Sequence, residues 1–334
     1  MRILIIGDKY LATNSYSTVW LSFMPTALQK QGCTIGWFPR ASQDKYEEWL
    51  EALLEVSQQY DHIIAPGVRY FSCLPRGVIS VLQSRFHGAV TQICDGALYD
   101  KVPVDINFTI KDVPDINEIT PRLNESSLTW NIPVGWGADE SLFYPEPPEK
   151  ETLSIFVDHA NFDCKTDYSL TIIMNIAQGR STFLAQGYSQ LRVRTLTDDG
   201  VIDINLDEIS VRPFTRCHVP NEQLAAELRG CDIFIVTHRE SIGLTALEAA
   251  KCGAYILCPE ATIPEDRLMR LPHQVITFPI NWQLVLNKPS KVVCAAKVAN
   301  ENWGNVASKI ILGLGKWEAD AAKEKSLVQT SKTM

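Results

Sequence analysis

The chain has 334 residues, more than one hydrophobic core usually fills, so two domains of about 150 residues each are expected. With 46% hydrophobic and 21% charged residues the composition is that of a globular protein, which excludes a disordered or fibrous chain. A formal charge of -8 argues against a general polyanion binder, so nucleic acid is not an expected partner.

The chain opens with Met1-Arg-Ile-Leu-Ile-Ile-Gly7, an apolar run too short for a signal h-region that reads instead as a strand. No run approaches the length of a membrane span; the expected location is cytoplasmic, with peripheral membrane contact left open. Strand-like runs recur at Ile3–Ile6, Thr34–Phe38, His62–Ala65, Ala89–Ile93 and Ile106–Ile110. Helix-length segments near Tyr16–Gln31, Lys45–Gln59 and Pro75–Arg85 separate the earlier ones, giving the βαβ rhythm of a doubly wound parallel sheet. The turn after the first strand, Gly7 to Thr18, lacks G-x-G-x-x-G and so argues against a nicotinamide dehydrogenase. Asn14, Ser15 and Tyr16 in that turn lie where such sheets bind ligands, with an ordinary N-cap role as the plain alternative for Ser15, and Asp95 in Gln-Ile-Cys-Asp-Gly after the fourth strand reads on its own as a cap of the loop before Gly96.

A second alternation begins after the proline- and charge-rich stretch Pro145-Glu-Pro-Pro-Glu-Lys150. Its expected strands are Leu153–Val157, Leu191–Leu196, Ile209–Pro213, Ile233–Thr237 and Tyr255–Cys258, and its helices Tyr168–Gln178, Asn221–Arg229 and Gly243–Cys252. Ser290–Trp317 is helical in pattern, and the polar tail from Glu318 is expected to fray. The nine cysteines form no C-x-x-C pair and read as reduced core thiols. No Asp-x-Asp or zinc ligand set stands out, so no metal is expected. The two glycosylation-type triplets at Asn107 and Asn124 read as chance matches.

The run Glu240-Ser-Ile-Gly-Leu-Thr-Ala-Leu-Glu248-Ala-Ala-Lys-Cys-Gly253 carries the chemistry. It lies between two apolar β-branched runs, so Glu240 leaves a buried strand and the following turn opens a helix that glycine closes. Backbone N–H groups of Ile242, Gly243 and Leu244 have no carbonyl four residues back, and the helix dipole adds partial positive charge; this end suits a phosphate. Glu248 lies about one and a half turns on, within reach of a ribose joined to that phosphate. An ordinary solvated helix carrying a glutamate is the plain alternative.

This segment resembles the E-x7-E signature of retaining GT-B glycosyltransferases of the family-4 type. The resemblance implies two Rossmann-like domains facing a central cleft, divided near residues 1–135 and 136–300, with residues 301–334 forming a helix that returns to the first domain plus the tail. It implies that the second domain binds the donor and the first the acceptor. Glu240 matches the acid that contacts donor-sugar hydroxyls, Glu248 the acid that holds the ribose, and Ser241, Ile242, Gly243 and Leu244 the turn whose amides take the diphosphate. Lys165 matches the diphosphate-clamping lysine, although Asp158-His159 stand where the family has an arginine; Asp95 matches the aspartate of a His-Asp pair whose histidine is absent here. Trp130 to Pro145 resembles the interdomain segment, with Asp139 as a turn cap.

The implied activity is hexosyl transfer, with retention, from a UDP- or GDP-linked sugar to an acceptor hydroxyl on a glycan, lipid-linked glycan, small molecule or protein, with no obligatory cofactor. Two alternatives stay open: another GT-B enzyme such as a sugar-nucleotide epimerase, and a non-catalytic nucleotide-sugar-binding subunit. Alanine at Glu248 is expected to weaken nucleotide binding and alanine at Glu240 to reduce transfer, neither changing the melting temperature much.

Overall fold

The computed structural model describes residues 1–7, 16–41, 45–66, 76–94, 104–109, 122–123, 130–149, 151–158, 168–197, 200–207, 219–239 and 243–332. The chain forms two compact units, Met1–Gly137 with Trp303–Met334, and Ala138–Asn302.

The first unit comprises β1 (Arg2–Ile6), α1 (Tyr16–Lys30), β2 (Thr34–Phe38), α2 (Tyr46–Ser57), β3 (His62–Pro66), α3 (Arg76–Arg85), β4 (Val90–Cys94), β5 (Ile106–Thr109), β6 (Arg122–Leu123) and β7 (Trp130–Pro133). The strands form one sheet in the order β2-β1-β3-β4-β5-β7-β6, parallel except where β6 meets β7. Ile3, Leu4, Ile5 and Ile6 are all fully buried, as a strand covered on both faces must be. Leu4, Ile6, Ile63 and Val90 pack with Leu50, Leu53 and Leu54 of α2 and Ile79 and Leu82 of α3. Asn107 is buried in β5 and donates from Nδ2 to Asn131 Oδ1 at 3.0 Å, so this triplet presents no free amide.

The second unit continues with β8 (Thr152–Val157), α4 (Ser169–Gln178), α5 (Arg180–Ala185), β9 (Gln190–Thr197), β10 (Gly200–Asp203), α6 (Asn221–Arg229), β11 (Ile233–Ile235), α7 (Leu244–Lys251), β12 (Tyr255–Pro259), α8 (Glu265–Leu268), β13 (His273–Ile276), α9 (Trp282–Leu286) and α10 (Lys291–Lys297). Its sheet runs β10-β9-β8-β11-β12-β13, again parallel except at β10. The expected α/β class with two Rossmann-like units is therefore the observed one. The strand expected at Ile209–Pro213 lies outside the described residues.

Several features depart from the sequence expectations, among them the short elements β6, α5, α8 and α9. Trp130–Pro133, read as part of an interdomain turn, is a full strand, because Ile132 and Pro133 continue the apolar surface of the sheet and pair with Phe108 and Thr109. The edge strands β10 and β13 were not expected; β10 is only partly buried, and β13 has a single buried residue, so neither shows a clean apolar pattern. The tail from Glu318 is not frayed but helical, since α11 (Trp303–Lys332) runs through it. That helix lies on the first unit. Gly313 sits where a Cβ would come within 2.8 Å of Ile132 Cδ1 and 3.0 Å of Phe108 Cε1, so only glycine allows this approach. Trp303 stacks on Phe23 with centroids 6.1 Å apart, and Glu318 reaches the buried His62, Oε1 to Nε2 at 3.0 Å.

Asp139 caps a turn just beyond the boundary between the units. Its Oδ1 accepts from the Ser141 backbone N–H at 2.9 Å and from the Ser141 hydroxyl at 2.7 Å. Asp139→Ala is expected to lower stability by about 1 kcal/mol, seen as a lower urea midpoint at unchanged slope. An unchanged midpoint would remove the capping role.

Candidate functional site

The carboxyl edge of the second sheet gathers buried polar groups. Asp158 follows β8 and donates its backbone N–H to Ile235 O at 2.9 Å, extending the pairing of the two central strands past their ends. Thr237 and His238 follow β11, their Oγ1 and Nδ1 3.1 Å apart. All three are under a tenth exposed. The signal for Thr237 and His238 in the sequence is only that they are polar residues directly after an apolar strand.

The next described element is α7. Gly243 is its N-cap, with φ 67° and ψ 42°, a left-handed conformation in which a side chain would be strained. The first internal bond of the helix runs from the Leu247 N–H to Gly243 O at 3.1 Å, so the amides of Leu244, Thr245 and Ala246 open toward the turn. Ala246, Leu247, Ala249 and Ala250 are buried, which fixes the helix against α6, α10 and β12. Of the predicted site, Gly243, Leu244 and Glu248 are thus brought onto one short helix. Glu240, Ser241, Ile242, Lys165 and Asp95 lie outside the described residues.

Glu248 is 8% exposed, and its carboxyl has no hydrogen bond or ion pair among the described residues. Burial alone pushes its carboxyl up to about 8, with no cation to bring it down. A carboxyl in this state is destabilising to the fold, and uncompensated acids of this kind cluster at functional sites. The neighbouring thiols are also held protonated by burial, Cys231 pushed up to about 12 and Cys252 raised as well. These cysteines are inert core residues.

Lys251, at the end of the same helix, was not singled out in the sequence. It is buried, and its Nζ donates to Glu140 Oε1 at 3.0 Å and to Ala299 O at 2.9 Å. Nothing local links residues 111 apart in sequence, which is why this contact was not legible.

No protein-family model matches the sequence, and none of the curated proteins matches it. Among solved structures the chain is similar to a sucrose-phosphate synthase from Thermosynechococcus elongatus, with 15% identity, 100% of this chain and 99% of that one covered, and a TM-score of 0.47. It is also similar to an alpha-glucosyltransferase in complex with UDP and a 13-mer DNA, with 11% identity, 99% of each chain covered and a TM-score of 0.46. Among the described residues no helix is long and apolar enough to cross a membrane.

Proposed function

We propose that the chain is a glycosyltransferase that moves a hexosyl group from a nucleoside-diphosphate sugar, UDP- or GDP-linked, to an acceptor hydroxyl with retention of configuration. The observation that carries this reading is Glu248, a buried carboxyl without a partner, one turn below helix-opening amides that follow a left-handed glycine. A ribose presents two adjacent hydroxyl donors, which is what this buried carboxyl lacks once it is ionised. The diphosphate attached to it would meet the amides at Gly243 and Leu244, where the helix dipole favours negative charge. By the resemblance in sequence, Lys165 neutralises the leaving diphosphate, Ser241 and Ile242 complete its cradle, Glu240 binds donor-sugar hydroxyls and Asp95 orients sugar or acceptor. Charge stabilisation of the departing diphosphate then supplies most of the rate, and the same phosphate takes the acceptor proton on the face it leaves.

Donors and acceptors fall to different units in this proposal: residues 136–300 hold the nucleotide sugar and residues 1–135 the acceptor. A panel of UDP- and GDP-sugars scored by thermal shift should show one nucleotide raising the melting temperature in proportion to the logarithm of its concentration. Anomeric proton couplings in the product would then read retention or inversion. If no nucleotide shifts the transition, the proposal fails.

Ionised Glu248 accepts the ribose hydroxyls best, so binding pulls its proton off. Nucleotide binding at pH 7 is therefore expected to release close to one proton, measured by calorimetry in two buffers of different ionisation enthalpy. Buffer-independent heats would contradict the assignment of Glu248.

One observation favours a second reading. Asp158, an acid, stands at the end of β8 where an arginine would assist the lysine. A non-catalytic donor-binding subunit would bind the nucleotide sugar yet turn over none across a broad acceptor panel.

A further inference from the structure

We propose that Glu140 is a positioning residue for the nucleotide site: by holding the Lys251 ammonium, it keeps Glu248 free of a cation and open to the ribose. The proposal rests on Glu248 as the ribose ligand, and its first test needs no nucleotide.

Lys251 follows Glu248 by three residues on α7, and side chains three apart on a helix are neighbours, roughly 5–6 Å between Cβ atoms. Both residues are under a tenth exposed. A buried ammonium one turn from a buried carboxyl would ordinarily pair with it, because each is unfavourable alone. Here the lysine turns the other way, to Glu140 and to Ala299 O. Glu140 is itself held: Asn302 Nδ2 donates to the same Oε1 at 3.2 Å and to Ala299 O at 3.2 Å. The backbones beside it are tied by the Ala138–Asn302 bridge and by the Ala138 N–H to Glu301 O at 3.2 Å. The carboxylate that captures the lysine is thus placed by Ala138 on its own segment and by Ala299, Glu301 and Asn302 on another.

Of the other ionisable groups on the elements around α7, Glu222 on α6 is an acid and brings no cation, and the following are held elsewhere. On α6, Arg229 binds Glu146 Oε1 at 2.8 Å and Leu142 O at 2.8 Å and lies over the Tyr144 ring, and Glu227 pairs with Arg194. On α10, Lys291 donates to Arg229 O at 2.6 Å, the Cys294 thiol faces Pro289 O, and Lys297 acts on Cys294. On β12, the Tyr255 hydroxyl donates to His273 O and the Cys258 thiol faces Gln274 O. Cys231 and Cys252 keep their protons. Lys251 is the cation that shares α7 with Glu248, three residues on, and Glu140 is what occupies it.

Glu140→Gln keeps the shape and an acceptor for Asn302 while removing the charge, and the Glu140 side chain is 57% exposed, so folding survives the change. The lysine is then expected to turn to Glu248, which will ionise about one to three pH units lower. The readout is the pH dependence of urea unfolding from pH 5 to 9, with and without Glu248→Gln in the same background, so that the Glu248 contribution is isolated. Affinity for UDP and GDP, by calorimetry, is expected to fall about tenfold in Glu140→Gln. The double variant Glu140→Gln, Lys251→Met removes the intruding cation and should restore both the pH profile and the affinity. A merely structural Glu140 would not be rescued by losing its own partner. An unshifted profile in Glu140→Gln, or a shift that Lys251→Met fails to reverse, overturns the proposal. If the profile shifts and is rescued while neither UDP nor GDP binds the wild type, the capture of Lys251 stands and the nucleotide site assignment is what fails.

Discussion

Glu248→Gln is expected to make the protein more stable at pH 8 and to abolish most of its nucleotide affinity, the two effects moving in opposite directions. The folded carboxyl titrates near 8 against an ordinary value of 4.5, so the native state holds this proton more tightly than the unfolded chain. Below about pH 4.5 both states are protonated and Glu248 contributes nothing to the pH dependence. As pH rises from 4.5 to 8 the unfolded chain ionises first, and stability falls by up to about 1.4 kcal/mol per unit. Above 8 the loss is complete. A neutral amide of the same shape removes this slope, so the variant should come close to the wild type near pH 5 and exceed it by about 4 kcal/mol at pH 8. Urea unfolding at the two pH values checks it. The little change in melting temperature expected from the sequence was for alanine at this position; for the isosteric amide the burial of Glu248 sets a pH-dependent expectation instead. Parallel pH profiles for the two proteins would mean that Glu248 is paired or solvated in solution.

What the sequence made legible follows from what is local. The strand before Thr237, the turn at Gly243, the helix that follows and its stop at Gly253 are all set by apolar runs and by glycines whose φ is positive, 67° and 89°. The place of Glu248 on that helix was therefore readable. Its isolation was not, because burial comes from α6, α10 and β12, and because the lysine next to it is claimed by Glu140 across the unit. The helical tail was missed for a similar reason. Its polar composition suggested fraying, whereas Glu318 reaches His62 and Lys323 pairs with Asp320.

Gly253→Ala is the second large effect. Gly253 ends α7 at φ 89°, and a Cβ there would lie 2.7 Å from both Lys291 Cβ and Lys291 O and 3.0 Å from its Cα. Two penalties add: the left-handed conformation for a residue with a side chain, and an overlap with backbone that cannot swing aside. Together they should lower stability by about 3 kcal/mol, roughly 10 °C in melting temperature for a unit of this size. Because Lys291 braces α10 against α6 through Arg229 O, relief of the clash must push α10 off α7. Nucleotide affinity should fall with it even at temperatures where the variant is folded. A melting temperature within 2 °C of wild type, by calorimetry, would show that α10 moves freely; this threshold is roughly the effect of half a kcal/mol.

The central claim is that the Glu248 carboxyl holds the hydroxyls of a ribose, and hydroxyl deletion on the ligand addresses it directly. Calorimetric titration of the wild type with UDP and with its 2′,3′-dideoxy analogue, and the same pair with Glu248→Gln, forms a double-mutant cycle across that one contact. The account predicts that the analogue binds the wild type at least about tenfold more weakly than UDP, and that the difference largely disappears in the variant. Equal loss in both proteins, or none in either, would contradict it.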